Sequence, residues 1–163
     1  MSKFIKAALA SSVLAASVMG ANAAHAATAS ADARANILAQ VSVTSDGSDL
    51  DFATIVTGAA ASTVVVASDG TLTCGTGLVC SGTATAAGFT VSGTTGQTVD
   101  VSSDASVTLS SGANTMSATL APSVTSIVLD GTDAFSVGGT LSVAANQADG
   151  AYTGTFNVTV DYQ

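Results

Sequence analysis

The sequence predicts an all-β protein, an immunoglobulin-like Greek-key sandwich, on three observations. Short segments with apolar residues at every second position recur about every ten residues, and turn signals separate them. Valine, threonine, serine and glycine are abundant, and no stretch after the first 26 residues shows a helical period. The last segment, Phe156 to Gln163, alternates apolar and polar residues without interruption, which is typical of a half-buried strand.

The beginning of the chain has the features of a secretory signal peptide. Lys3 and Lys6 precede an apolar run from Ala7 to Val18, and small residues follow it. The run is too short to span a bilayer, so it predicts export. We predict cleavage after Ala26, and cleavage after Ala23 is the alternative.

The predicted organisation is a leader over 1–26, an extended N-terminal arm over 27–36 and one β-sandwich domain over 37–163. This length suits a single domain. No segment after the leader is apolar for long enough to be a transmembrane segment. The expected location is the periplasm, the cell surface or the outside of a bacterial cell.

The negative charge of the chain after the leader excludes two classes of binding partner. After the leader, Arg34 is the only basic residue, against eleven aspartates and no glutamate. Such a chain repels nucleic acid and anionic lipid headgroups. Arg34 either pairs with an aspartate beside a groove or is a solvated charge that protects an edge from aggregation.

The arm consists mostly of small residues in a period of two. This period favours an extended arm, although alanine-rich sequence can also form a helix. A first core strand is predicted over 37–44. The residues on the apolar side of the arm are Ala27, Ala29, Ala31, Ala33 and Ala35.

The remaining strands follow from alternation between turn signals. Asp130-Gly131, Gly138-Gly139 and Asp149-Gly150 are predicted turns. Leu50 and Phe52 begin a second strand. The others are expected near 62–68, 88–93, 97–102, 105–110, 113–120, 124–130, 139–144 and 156–163.

The two cysteines, Cys74 and Cys80, predict a disulfide, because the chain carries an export signal. We expect the bond at the tip of a hairpin. A loop this short contributes about 2 kcal/mol by the chain-entropy estimate, so it fastens a local turn. A zinc site would need more ligands than the exported chain offers.

Catalytic chemistry is not expected. Serine and cysteine nucleophiles lack their usual bases, because the chain after the leader has no histidine, lysine or glutamate. We therefore predict no enzyme activity and no cofactor. Asp46, Asp49 and Asp51 are weak calcium candidates, but their spacing matches no known calcium loop, and a negatively charged loop is the favoured interpretation.

Two resemblances extend this interpretation. The stretches Leu50 to Val56, Ala144 to Gln147 and Gly150 to Tyr162 resemble the bacterial secreted family called domain of unknown function 4402. More distantly, the C-terminal segment is similar to chaperone–usher pilins and spore-coat-U-type domains. Those domains end on an alternating strand with a penultimate tyrosine, here Tyr162, and a glycine fourteen residues from the end, here Gly150.

The pilin resemblance implies donor-strand exchange. The sandwich would lack one strand, a periplasmic chaperone would fill the groove, and the arm of the next subunit would replace it at an outer-membrane usher. The arm 27–36 would be the donor, and its partners would be identical or homologous subunits. The acceptor residues would be Gly150, Phe156, Val158, Val160 and Tyr162.

The leading hypothesis is therefore an exported structural subunit of a pilus-like or other surface filament. The main alternative is a self-complete extracellular binding module, such as an adhesin or a carbohydrate- or calcium-binding domain. A third hypothesis is a coat or matrix domain that forms cross-β material.

Overall fold

The computed structural model describes residues 26–163, and within that range it is all-β, with no helix. The predicted leader lies outside the described residues except for Ala26. No helix that could span a membrane is found in the described range. The strands, in chain order, are β1 (Ser42–Ser45), β2 (Thr54–Val56), β3 (Ser62–Val66), β4 (Leu72–Cys74), β5 (Val79–Ser81), β6 (Ala87–Ser92), β7 (Thr98–Ser103), β8 (Ser106–Ser111), β9 (Asn114–Pro122), β10 (Ser126–Val128), β11 (Thr132–Val143) and β12 (Val158–Tyr162).

Residues 36–163 form one unit, and residues 26–35 belong to another. The 36–163 unit contains a seven-stranded antiparallel sheet, a three-stranded sheet ordered β10-β7-β12, and a two-stranded ribbon of β2 and β5. The seven-stranded sheet is built on β11. One edge of β11 pairs first with β6 and then with β3, and its other edge pairs with β9. The result is the sandwich-like antiparallel fold that the alternating segments predict.

Two apolar clusters fill the interior. The first lies between the seven-stranded and three-stranded sheets, and its buried members are Ala87, Val91, Val99, Val101, Leu129, Phe135, Val137 and Val160. The second lies on the part of the main sheet formed by β3, β8, β9 and β11. Its buried members are Phe52, Val64, Val66, Val107, Ala118, Leu141 and Val143. Ile55 of β2 and Cys80 of β5 pack against this second cluster, so the ribbon is part of its cover.

The first strand is shorter than predicted. We expected a core strand over 37–44, whereas β1 begins at Ser42, and Ile37 is 89% exposed. The alternation of 37–41 is therefore not used for strand pairing. Hydrogen bonds between the side chains of Thr94 and Tyr162 and the Ala39 backbone hold this segment instead.

The predicted turn at Gly138-Gly139 is wrong, because both glycines lie inside β11. A Cβ on Gly138 would stand 2.8 Å from the backbone nitrogen of Ser68, and one on Gly139 would stand 2.9 Å from the carbonyl oxygen of Thr119. Both positions need glycine because neighbouring backbone comes too close for a side chain.

The disulfide between Cys74 and Cys80 is present, with the two Cα atoms 5.9 Å apart. It is not at the tip of a hairpin, however. Cys74 lies in β4, which pairs with β3 of the main sheet, while Cys80 lies in β5, which pairs with β2. The bond therefore ties the β2–β5 ribbon to the edge of the main sheet.

Candidate strand-accepting edges

The side chains of β12 alternate between the core and the solvent. Val160 is 7% exposed and belongs to the first cluster, while Val158 and Tyr162 are half-buried and pack against it. Thr159 and Asp161 point outward and are exposed. The inward side of this strand is therefore apolar along its whole length.

One backbone edge of β12 has no strand beside it in the described part of the chain. β12 pairs only with β7. Asp104 donates its backbone N–H to the Asn157 carbonyl at 3.0 Å, and Gln163 donates to Thr98 at 3.1 Å, so the odd-numbered residues bond to β7. In an antiparallel ladder the intervening residues direct their N–H and C=O groups the other way. Val158, Val160 and Tyr162 therefore present unpaired backbone groups at a free edge.

β1 has a free edge of the same kind. Asp46 donates its backbone N–H to the Gly88 carbonyl at 3.0 Å, so the even-numbered residues of this segment bond to β6. The backbone groups of Val41 and Val43 point away from β6. Both side chains pack against the first cluster, as those of Val158 and Tyr162 do. Two unpaired edges thus flank the same cluster.

The space between these two edges is narrow. Cα atoms of β1 and β12 approach within 8 Å without strand pairing. A strand inserted between them needs about 4.8 Å on each side. Seating an additional strand therefore requires β1 to move away from β12.

The Tyr162 hydroxyl closes one end of this space. It accepts a hydrogen bond from the Thr94 backbone N–H at 2.7 Å and donates one to the Ala39 carbonyl at 2.8 Å. The Ala39 N–H in turn donates to Thr94 Oγ1 at 2.7 Å. Gly93 leaves room for the phenol, since a Cβ there would contact the Tyr162 hydroxyl and stand 2.8 Å from Leu129 Cδ1. This network fastens the segment before β1 to the end of β12.

The arm is exposed and forms no regular secondary structure. Residues 26–35 contain no strand, helix or turn, and the side chains of all five predicted donor alanines are exposed. Arg34 forms an ion pair with Asp32 at 3.2 Å, with the two side chains 87% and 83% exposed. A pair this exposed contributes at most about 1 kcal/mol, so it does not fix the conformation of the arm.

Gly150 is not on the β12 edge with the other predicted acceptor residues. It lies eight positions before Val158, where the strand begins, at φ +152°, and a Cβ there would stand 3.1 Å from Ser111 Cβ. A bridge between Thr153 and Ser110 attaches this part of the chain to β8. Phe156 is half-buried and contacts both clusters. The structure thus brings together Val158, Val160 and Tyr162, with Phe156 next to them.

Gly150 lies in a cleft of about 600 Å³ that no sequence pattern predicts. One wall is residues 54–57, the other is residues 147–152, and the floor is the second cluster. Leu109 and Met116 are half-buried floor residues. The alternation of apolar residues around Leu109 and Met116 predicts β8 and β9, but it does not predict the cleft. The cleft depends on the position of the β2–β5 ribbon relative to the main sheet.

The calcium candidates act as turn residues. Asp46 Oδ1 accepts the Ser48 N–H at 2.8 Å, and Asp51 Oδ1 accepts the Ala53 N–H at 2.8 Å. Asp49 contributes its backbone carbonyl, to Thr85 Oγ1 at 2.7 Å. Across residues 26–163 no group of three or more metal-ligating side chains forms.

The environment of Asp69 changes the titration of its carboxylate. The backbone N–H of Thr71 donates to Asp69 Oδ1 at 2.9 Å. This hydrogen bond stabilises the charged form and lowers the pKa of Asp69 below its usual value of 3.8. The side chain is fully exposed and belongs to a turn, so we assign it no chemical role.

The comparisons with known proteins identify a family for this chain. The comparison with curated proteins yields no match. The model of the family described as "Domain of unknown function (DUF4402)" matches residues 40–162, which include every strand of the fold. The match covers most of the chain and agrees with the resemblance seen in the sequence. The protein belongs to the DUF4402 family.

Proposed function

We propose that this protein is an exported structural subunit of a pilus-like or other cell-surface filament. Subunits join by β-strand complementation, in which the N-terminal arm of one copy adds to the edge of β12 in the next. Its partners are identical or homologous subunits, with a periplasmic chaperone and an outer-membrane usher as assembly factors. It is not an enzyme and uses no cofactor.

The observation that carries the proposal is the free edge of β12. Val158, Val160 and Tyr162 combine unpaired backbone groups with an apolar inward face on the first cluster. Strand addition uses these two features, because backbone hydrogen bonds supply affinity and alternate side chains fill the interior. A free edge with an apolar side is otherwise an aggregation hazard, which gives the chain a physical reason to pair it.

The arm has suitable chemistry for a donor. Residues 26–35 make no strand of their own, so their backbone groups are free to pair. Except for Arg34, their side chains are small and would add little volume next to the first cluster, whose buried members already fill the interior. Export by the predicted leader would bring the chain to the compartment in which such filaments assemble.

The test uses two matched variants of the arm. Ala31→Asp places a carboxylate on the proposed inward side, and Ser30→Asp places the same group on the outward side one residue earlier. Both side chains are exposed, so neither change should alter folding of residues 36–163. Surface-sheared protein is run on SDS gels with and without boiling, since strand-complemented filaments are kinetically stable.

We expect an unboiled ladder for the wild type and for Ser30→Asp, and a monomer band for Ala31→Asp. After boiling, the wild type and both variants should each give one band at the position of the monomer. A monomer band from the unboiled wild type would refute the filament. Equal ladders from both variants would refute the arm as donor.

A self-complete extracellular binding module is the alternative function. The cleft beside β2 favours it, because a ligand site of this size has no necessary part in strand complementation. In that case the arm packs in cis, and deletion of 27–36 lowers the stability of the domain instead of abolishing a ladder.

A further inference from the structure

We propose that the cleft beside β2 binds an extended peptide segment of a partner protein, with one apolar residue flanked by lysine or arginine. The site is separate from the β12 edge, so the inference does not depend on filament assembly. It combines three features of the cleft: an apolar floor, unpaired backbone on both walls and carboxylates at the rim.

The floor is apolar and continuous with the second cluster. Leu141 and Val143 are each 2% exposed, and the half-buried Leu109 and Met116 complete the surface toward the opening. The volume of about 600 Å³ is within the range of about 300–1,000 Å³ that is usual for ligand sites. An apolar side chain that enters the cleft is removed from water there.

The first wall is the free edge of β2. Among the described residues β2 pairs with β5 only, so its other edge has no strand beside it. The cleft is lined by β2 and by no residue of β5. Val56 is 58% exposed and adds apolar surface at the top of this wall. An extended peptide can add to this edge through backbone hydrogen bonds, as in other cases of strand addition.

The opposite wall also offers backbone groups. The N–H groups of residues 148–151 have no backbone partner among the described residues. Residues 148–151 line the cleft, so a peptide bound there lies next to these N–H groups as well as to β2. A peptide can exchange the water at these exposed N–H groups for backbone hydrogen bonds, which a small apolar molecule cannot do.

The walls are held in place before any ligand arrives. The Tyr152 hydroxyl donates to the Ala148 carbonyl at 2.9 Å and accepts from Gln147 Nε2 at 2.9 Å. The Asn146 N–H donates to the Gly58 carbonyl at 2.9 Å, which joins the two walls at one end. The disulfide fixes the ribbon that carries β2. Preorganisation of this kind lowers the entropic cost of binding.

Charge specifies the flanks of the peptide. Asp51 and Asp149 both line the cleft, and the sequence from residue 36 to 163 contains no lysine, arginine or histidine. A basic ligand therefore meets carboxylates without competition from a local cation, and an acidic ligand is repelled. Because these aspartates are exposed, their contribution should fall as salt rises.

The test is fluorescence anisotropy with the 26–163 protein and a labelled peptide of sequence lysine-threonine-isoleucine-threonine-lysine. The matched control peptide has glutamate in place of both lysines. A third peptide copies residues 33–41 of this chain, which contain Arg34 and the exposed Ile37. Each is titrated at low and high salt.

Two pairs of protein variants locate the site. Met116→Trp fills the floor of the cleft, and Val128→Trp adds the same side chain at a position on β10 that is 64% exposed and does not line the cleft. Asp149→Asn removes a rim charge, and Asp161→Asn removes an exposed charge on β12. Thermal unfolding checks that all four variants fold.

We expect the lysine peptide to bind more tightly than the glutamate peptide, and more weakly at high salt. Met116→Trp should abolish binding, and Asp149→Asn should weaken it about fivefold, as for loss of one exposed ion pair. The two control variants should bind as the wild type does. Equal binding of both synthetic peptides, or unchanged binding to folded Met116→Trp, would overturn the proposal. Tighter binding of the 33–41 peptide would overturn the assignment to another protein and give the cleft to a second copy of this chain.

Discussion

The two apolar clusters rest on the same seven-stranded sheet, but they are covered to different extents. A three-stranded sheet lies over the first cluster, and its strands β7 and β12 supply Val99, Val101 and Val160 to the interior. The second cluster is covered by a two-stranded ribbon and by loops, and part of its floor remains open as the cleft. The access of water to each apolar cluster is therefore set by the size of the strands and loops that cover it, and not by the main sheet.

The same leucine-to-alanine change in each cluster gives the largest contrast. Leu129 is 1% exposed in the first cluster, whereas Leu109 is half-buried at the floor of the cleft. We expect Leu129→Ala to cost about 2–5 kcal/mol, because it leaves a cavity in a closed interior. Leu109→Ala should cost about 1 kcal/mol, because its surroundings are already open to water. Urea denaturation of both variants measures the difference, and equal losses would mean that the clusters are closed to the same degree.

Removal of the disulfide should destabilise the cover of the second cluster and leave that of the first cluster unchanged. The double variant Cys74→Ser, Cys80→Ser releases the ribbon from the main sheet and should cost about 2 kcal/mol. Hydrogen exchange should accelerate at the amides of β2 and β5 and stay unchanged at those of β7 and β12. Equal acceleration in β7 would show that the two covers unfold as a unit.

Removal of the hydroxyl from each of the two tyrosines should give smaller losses of stability, and the pair compares the two hydrogen-bond networks directly. Tyr162→Phe removes the hydroxyl that joins Thr94 to Ala39, and it leaves the half-buried Thr94 N–H without a partner. We expect a loss of about 1–2 kcal/mol. Tyr152→Phe should cost about 0.5 kcal/mol, because water can replace its bonds at the exposed Ala148 carbonyl. Thermal unfolding ranks the pair, and a larger loss for Tyr152→Phe would contradict the assigned role of the Tyr162 network.

Strands with one buried face could be predicted from the sequence. In β3, β7 and β12 the buried residues are all valines, and where a strand has two of them they are two positions apart, as a period of two predicts. The first half of β11 could not be predicted in this way. Its first residues, Thr132 and Asp133, follow a glycine turn signal, and Gly138-Gly139 inside the strand serves close backbone approach.

The candidate sites were predictable only in part. The apolar face of β12 follows from its alternation, but its missing neighbour depends on how β1 pairs with β6. The cleft depends on contacts between residues far apart in the chain, such as the bond from Asn146 to Gly58. The disulfide was predictable as a pair, whereas its position between two sheets depends on the pairing of β4 and β5 with different strands.

The position of Arg34 also determines where a trypsin-like protease cleaves the described part of the chain. Within residues 26–163 it is the only site for an enzyme that cleaves after lysine or arginine, and its side chain is 87% exposed. One cut there removes residues 26–34 and leaves the whole 36–163 unit intact. A trypsin-like protease in the surroundings could therefore convert a copy that has an arm into one that has only the edges of its sheets. If subunits join as proposed, a single hydrolysis would remove the donor arm and leave the acceptor edge.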